Sequence, residues 1–191
     1  MSRPTPPVEG LAARWVRLML TFGISVAVGM APLLGYANVP GFKSLLELFP
    51  KYPFDFTTQL VAVAGLMMGL TALSVQYFQH ERIKESKRRW WFICLGVMLG
   101  SCLAVVFITY LFSVEQVGNY NVLIGFGDPI CKLCEGMQRS ACVAEITVSA
   151  KDIDRCFGSA SVRLAAMILA LLYLAALTLL GALVGLLLTR K

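Results

Sequence analysis

Four stretches of the chain, at 18–36, 59–78, 90–112 and 164–189, carry no charged side chain in their interiors. Each is about as long as a helix needs to be to cross a hydrocarbon core. Each is also apolar all round, which distinguishes a lipid-facing helix from an amphipathic one lying on a soluble core. Pro32 falls late in the first stretch and should kink it or end its regular part. In the connector that follows, Phe42, Leu45, Leu46 and Phe49 recur at helical spacing between Pro40 and Pro50. That pattern predicts a short amphipathic helix in a membrane interface, or else a partly buried connecting turn. The longest connector, 113–161, has apolar stretches within 119–127 and 143–148 that predict two strands, with Asp128-Pro129 marking a turn. The expected fold is an all-α integral membrane protein, a four-helix transmembrane bundle with a small cap between its third and fourth spans.

Composition agrees with this reading. Of the 191 residues, 58% are hydrophobic and 15% charged, whereas soluble domains average about 45–50% and about 25%. Four spans leave no room for a soluble catalytic domain of about 100 residues or more. The net charge of +6 would suggest nucleic acid if it were spread over a surface, but it follows the connectors instead. The N-terminal tail, the connector 79–89 and the C-terminus hold ten of the 17 Lys and Arg and three of the 11 acids. The positive-inside rule then places both termini and that connector in the cytoplasm and the loops 37–58 and 113–161 outside. Trp15, Trp90 and Trp91 fall at the cytoplasmic ends of spans, where amphipathic rings favour the headgroup zone. The first apolar run is longer than the core of a cleaved signal peptide, so it reads as a retained helix.

Three spans carry a Gly-xxx-Gly step, at Gly65 and Gly69, Gly96 and Gly100, and Gly181 and Gly185. Such steps let helix backbones approach closely in lipid, where hydrophobicity cannot drive association. They predict close helix packing, within one chain or between copies, and make a homo-oligomer a natural expectation.

Cys131, Cys134, Cys142 and Cys156 all lie in the connector 113–161. Four cysteines in a loop facing an oxidising compartment predict two disulfides that staple a unit too small to hold a core alone, and spacing leaves all three pairings open. Two sharper readings compete. Cys131 and Cys134 form a CxxC beside Lys132, the spacing of thiol–disulfide exchange sites. Four cysteines can also bind zinc, but Cys142 and Cys156 do not form a second CxxC. Cys94 and Cys102, in the third span, read as small packing residues.

Other chemistry is thinly represented. His80 is the only histidine, which disfavours a His-based triad. No span interior has the ionisable residue of a proton or ion pathway, and no phosphate-binding or dinucleotide motif is present. No cofactor or metal is implied. The basic hairpin between the second and third spans, with Arg82, Lys84, Lys87, Arg88 and Arg89, reads as topology plus attraction to anionic lipid, or as a docking site for a soluble cytoplasmic protein. Its short length, hard against the membrane, disfavours direct nucleic-acid binding.

Three families with four spans and outer cysteines invite comparison. The quinone-linked disulfide-forming oxidases keep a CxxC in the first outer loop, which here lacks cysteine. The vitamin K epoxide reductases keep theirs at a membrane edge, whereas Cys134 lies some thirty residues before the fourth span. Tetraspanins have a Cys-Cys-Gly motif that is missing here. In size, span layout, four-cysteine loop and basic hairpin, the whole chain resembles the small membrane subunit of Kiwa-type bacterial antiphage defence systems. That resemblance implies a non-enzymatic sensor in the bacterial inner membrane that oligomerises and holds a soluble, DNA-binding effector at the hairpin 79–89. A thiol-exchange enzyme using Cys131 and Cys134, and a pore formed by the oligomer, are the other expectations.

Overall fold

The computed structural model describes residues 11–31, 57–79, 85–117, 120–146 and 150–188. The amphipathic segment around Phe42, together with Pro32, His80, Arg82 and Lys84, lies outside them. The described chain is mostly helical. Helix α1 covers Leu11–Gly29, α2 Thr57–Gln79 and α3 Glu85–Ser113. A hairpin of β1 (Val114–Val117) and β2 (Tyr120–Leu123) follows, then short helices α4 (Arg139–Glu145) and α5 (Ala150–Phe157), and finally α6 (Ser159–Leu188). Three helices, α2, α3 and α6, are long and apolar enough to cross a membrane, and α1 is a shorter apolar helix. The regular part of α1 ends at Gly29, three residues before the proline.

The long helices form a bent row in the order α1, α2, α6, α3, with α1 also touching α6. α1 packs on α2, α2 on α6, and α6 on α3. The central helix, α2, buries one broad stripe: Val61, Ala64, Met68 and Ala72 are fully enclosed, and Gly65 and Gly69 adjoin them along it. A Cβ placed on Gly29 would come within 2.6 Å of the Gly65 Cα, and one on Gly69 within 2.5 Å of a Val26 methyl. These meetings run α1 antiparallel to α2. Gly181 lies against the Met68 backbone and Gly185 against that of Ala72, where a Cβ would sit 2.6 Å from the Ala72 carbonyl oxygen. Both positions advance together along the two chains, so α2 and α6 run parallel with their backbones in contact. Small residues permit that approach, and dispersion holds it where lipid is as apolar as leucine.

α3 differs from the other three. Gly96 and Gly100 have open space around them, and almost none of the helix is buried. Its half-buried positions, including Leu95, Cys102 and Val106, face α6, where the Cys102 thiol reaches the Leu172 carbonyl oxygen at 3.5 Å. Gly96, Gly100, Ala104 and Phe107 occupy the opposite side and are exposed, apart from the neighbours on their own helix.

The cap sits on one end of this row. α3 runs without a break into β1, which pairs antiparallel with β2 in the register Val114 to Leu123 through Val117 to Tyr120. The Ile124 N–H donating to the Ser113 carbonyl oxygen at 2.8 Å extends the ladder to the helix end. The expected strand within 119–127 is β2. Of the expected strand at 143–148, residues 147–148 lie outside the described residues, and the described residues 143–146 form none, since Cys142 and Val143 belong to α4 and Ile146 is its C-cap. Those three residues are buried together, at the i, i+1 and i+4 spacing of one helix face, and a short apolar run fits a helix and a strand equally well. The fourth span also starts earlier than its apolar run, at Ser159, just after Gly158. That glycine adopts φ +80 and donates its N–H to the Asp154 carbonyl at 3.1 Å, which closes α5 and turns the chain into α6.

The glycine contacts predict an asymmetry in stability. Gly185→Ala should cost about 1–3 kcal/mol, because neither backbone can retreat without separating α2 from α6. Gly96→Ala, facing open space, should fall within about 0.5 kcal/mol of the parent. Thermal unfolding of the solubilised protein checks both.

Candidate functional site

The cap has its own core, in which Val122, Leu123 and Ile124 of the hairpin meet Val143 and Ile146 from α4 and Ile153 and Phe157 from α5, and the first turns of α6 close the base through Val162 and Ala165. The cysteines lie inside this cluster. Cys131 is bonded to Cys156 and Cys134 to Cys142, with Cα–Cα separations of 4.6 and 5.2 Å. The two links are nested: the 8-residue separation of Cys134 and Cys142 lies within the 25-residue separation of Cys131 and Cys156. The shorter one ties α4 to the 3-10 turn Lys132–Cys134. The longer one ties that turn to α5, beside the Ile130 N–H donating to the Cys156 carbonyl oxygen at 2.7 Å.

This pairing bears on the chemistry. The two cysteines of the CxxC belong to different disulfides, whereas an exchange site built on that motif would join them to each other. The Sγ atoms of Cys131, Cys134 and Cys142 lie within 4.8 Å of one another, close enough to resemble a metal cluster in outline. With both disulfides formed, none of these sulfurs is a thiolate able to ligate. Cys134 and Cys142 are 1% and 0% exposed, while Cys131 is half-buried, so any external thiol meets the outer link first.

A polar clasp fastens the cap to α6. Gly125, at φ +81, comes so close to the helix that a Cβ there would lie 2.6 Å from the Ser161 hydroxyl. That hydroxyl accepts from the Phe126 N–H at 2.9 Å, and the Gly125 carbonyl oxygen accepts from Arg139 Nη2 at 2.7 Å. Next to it an open cavity of about 460 Å³ is lined by Glu115, Asp128 and Arg139 among others. It carries charges of both signs on the cap surface, close to the Cys134–Cys142 link.

The remaining sequence-derived positions are spread along the row. Gly65 meets α1, Gly69 meets α1 from one turn further on, and Gly181 and Gly185 meet α2, while Gly96 and Gly100 meet no other element among the described residues. Lys87 and Arg89 are exposed and Arg88 half-buried in the first turns of α3, at the end of the row remote from the cap. Cys94 and Cys102 are free. The sequence reading missed Gly125, Arg139 and Ser161. Only the glycine left a signal, as a residue directly after an apolar strand; the contacts of the other two are tertiary. Compared with known protein families, curated proteins and solved structures, the chain matches none.

Peptide mapping without reduction should return the 131–156 and 134–142 links and no 131–134 link. Replacing Cys131 and Cys156 by serine should destabilise the cap by about 2–4 kcal/mol. Limited proteolysis would register that change as faster cleavage within 113–161, with the long helices left intact.

Proposed function

We propose that this chain is a non-enzymatic sensor and scaffold of a bacterial inner membrane. In this reading it has four spans, both termini in the cytoplasm and the disulfide-stapled cap outside. The observation that carries the proposal is the continuity of α3. One 29-residue helix, about 43 Å long at 1.5 Å per residue, joins the basic end at Lys87, Arg88 and Arg89 to the first strand of the cap. A change in the cap that tilts or shifts this rod is delivered to the hairpin 79–89, where an effector protein with an acidic face would dock. α6 leaves the cap through Gly158 and the Ser161 clasp, so the second attachment is made to the helix on which α3 leans.

Self-association belongs to the same reading. α3 is bound on one side by α6 and offers its Gly96, Gly100 and Ala104 face to a second copy, as Gly65 and Gly185 are used within the chain. A rod held on one side by its own chain and on the other by a neighbour has two packing partners, and an external signal can bias the choice between them. The resemblance to the membrane subunit of Kiwa-type defence systems fits this arrangement, with a soluble DNA-binding effector as the docked partner.

Replacing Arg82, Lys84, Lys87, Arg88 and Arg89 by glutamine should release the soluble partner and leave the oligomer in place. Gly100→Leu should do the reverse at the membrane, lowering the oligomer's mass. Native mass spectrometry of the complex drawn gently from its own cells reads both changes. Recovery of a lone protomer carrying a mixed disulfide at Cys131 or Cys134 would overturn the reading in favour of thiol exchange, and an unaltered partner on the five-fold variant would move docking elsewhere.

A further inference from the structure

At the cap end of the row, a groove of about 510 Å³ opens between α2 and α6. Leu60 and Val63 form one wall, Met167 the other, and the small side chains of Ala166 and Ala170 leave the trough between them. Gln59 and Arg163 border the end nearest the cap, yet the surface they give the groove is entirely apolar. Their carbon stems therefore line it while their polar heads stand clear, as long side chains at helix ends do. Arg163 is exposed and makes no hydrogen bond or ion pair with a described residue. From Arg163 to Ala170 the apolar trough runs about 10 Å along α6 at 1.5 Å per residue, with the cation at one end only.

We propose that this groove holds an acyl chain of an anionic phospholipid whose phosphate sits on the Arg163 guanidinium. The inference rests on the reading of this row of helices as membrane-embedded and deepens it by naming a lipid. A trough with apolar walls selects a hydrocarbon chain. The guanidinium at its mouth, without a partner among the described residues, selects an anion, and its planar fork matches phosphate oxygens two at a time. The Gln59 amide, at the same level on α2, can donate to the glycerol or phosphate oxygens. Phosphatidylglycerol joins both features in one molecule, whereas phosphatidylcholine offers the chain with a compensated charge. A lipid held here bridges α2 and α6 at their cap ends, beyond the glycine contacts that join them lower down.

The test uses the full-length protein in nanodiscs of equal parts phosphatidylglycerol and phosphatidylcholine, read by native mass spectrometry. The parent should retain phosphatidylglycerol about fivefold over phosphatidylcholine, the ratio expected of about 1 kcal/mol per basic residue at a membrane surface. Arg163→Gln should bring that ratio to about one, and Arg163→Lys should keep most of it. Ala170→Phe, which fills the trough, should lower the amount of bound lipid of both kinds, and thermal unfolding verifies that each variant is folded. Equal retention by the parent, or a preference that survives Arg163→Gln, overturns the proposal. Release of the chain from membranes by alkaline carbonate would overturn the bilayer reading itself, and this proposal with it.

Discussion

The parallel contact between α2 and α6, made backbone to backbone at Gly181 and Gly185, is the constraint around which the other elements are arranged. Two helices can run parallel as neighbours only if the chain between them returns from one end of the row to the other. Here α3 makes that return, and it does so on the outside, against α6. The cap spans the remaining gap between the end of α3 and the start of α6. With the centre occupied by α2 and α6, α1 is left to close the free side of α2. It does so by the same means, setting Gly29 against Gly65. For helices apolar enough to lie in a bilayer, such close approaches would supply the dispersion energy that burial from water supplies elsewhere.

The apolar runs at 59–78, 90–112 and 164–189 were legible because nothing else explains some twenty uncharged residues in a row. The glycine steps were legible as faces but silent about partners: spacing places Gly65 and Gly69 on one side of a helix, while only the folded chain puts Gly29 and Val26 opposite them. For the same reason, Gly96 and Gly100 could not be told apart from the other two pairs. The cap was harder to read. Val143 lies in a segment short enough to suit either period, and the helix wins because Cys142 must reach Cys134 while Val143 and Ile146 stay inside. The pairing of the four cysteines was invisible for a related reason, since all three connectivities close loops of ordinary length.

The cap is small, and its attachments are unusually direct. Ser113 ends α3 and Val114 begins β1; Phe157 ends α5 and, after Gly158, Ser159 begins α6. No flexible linker separates the folded cap from either helix. The Ser161 hydroxyl, the Phe126 N–H and the close approach of Gly125 fix the hairpin's exit against the first turn of α6, so the hairpin is tied to α6 as well as to α3. The cap's two described junctions with α3 and α6 are thus direct, with only Gly158 between α5 and α6.

The nesting of the two disulfides has a consequence for how the cap comes apart. The inner link lies wholly within the segment closed by the outer one, and it is buried where Cys131 of the outer link is half-buried. The outer link is thus the more accessible of the two to an external thiol, and the inner one would still hold α4 to the turn after its loss. Loss of the outer link alone would leave α4 tied to the 3-10 turn by Cys134–Cys142 and the hairpin's exit tied to α6 by the Ser161 hydroxyl, so the covalent tie lost is the one between the turn and α5.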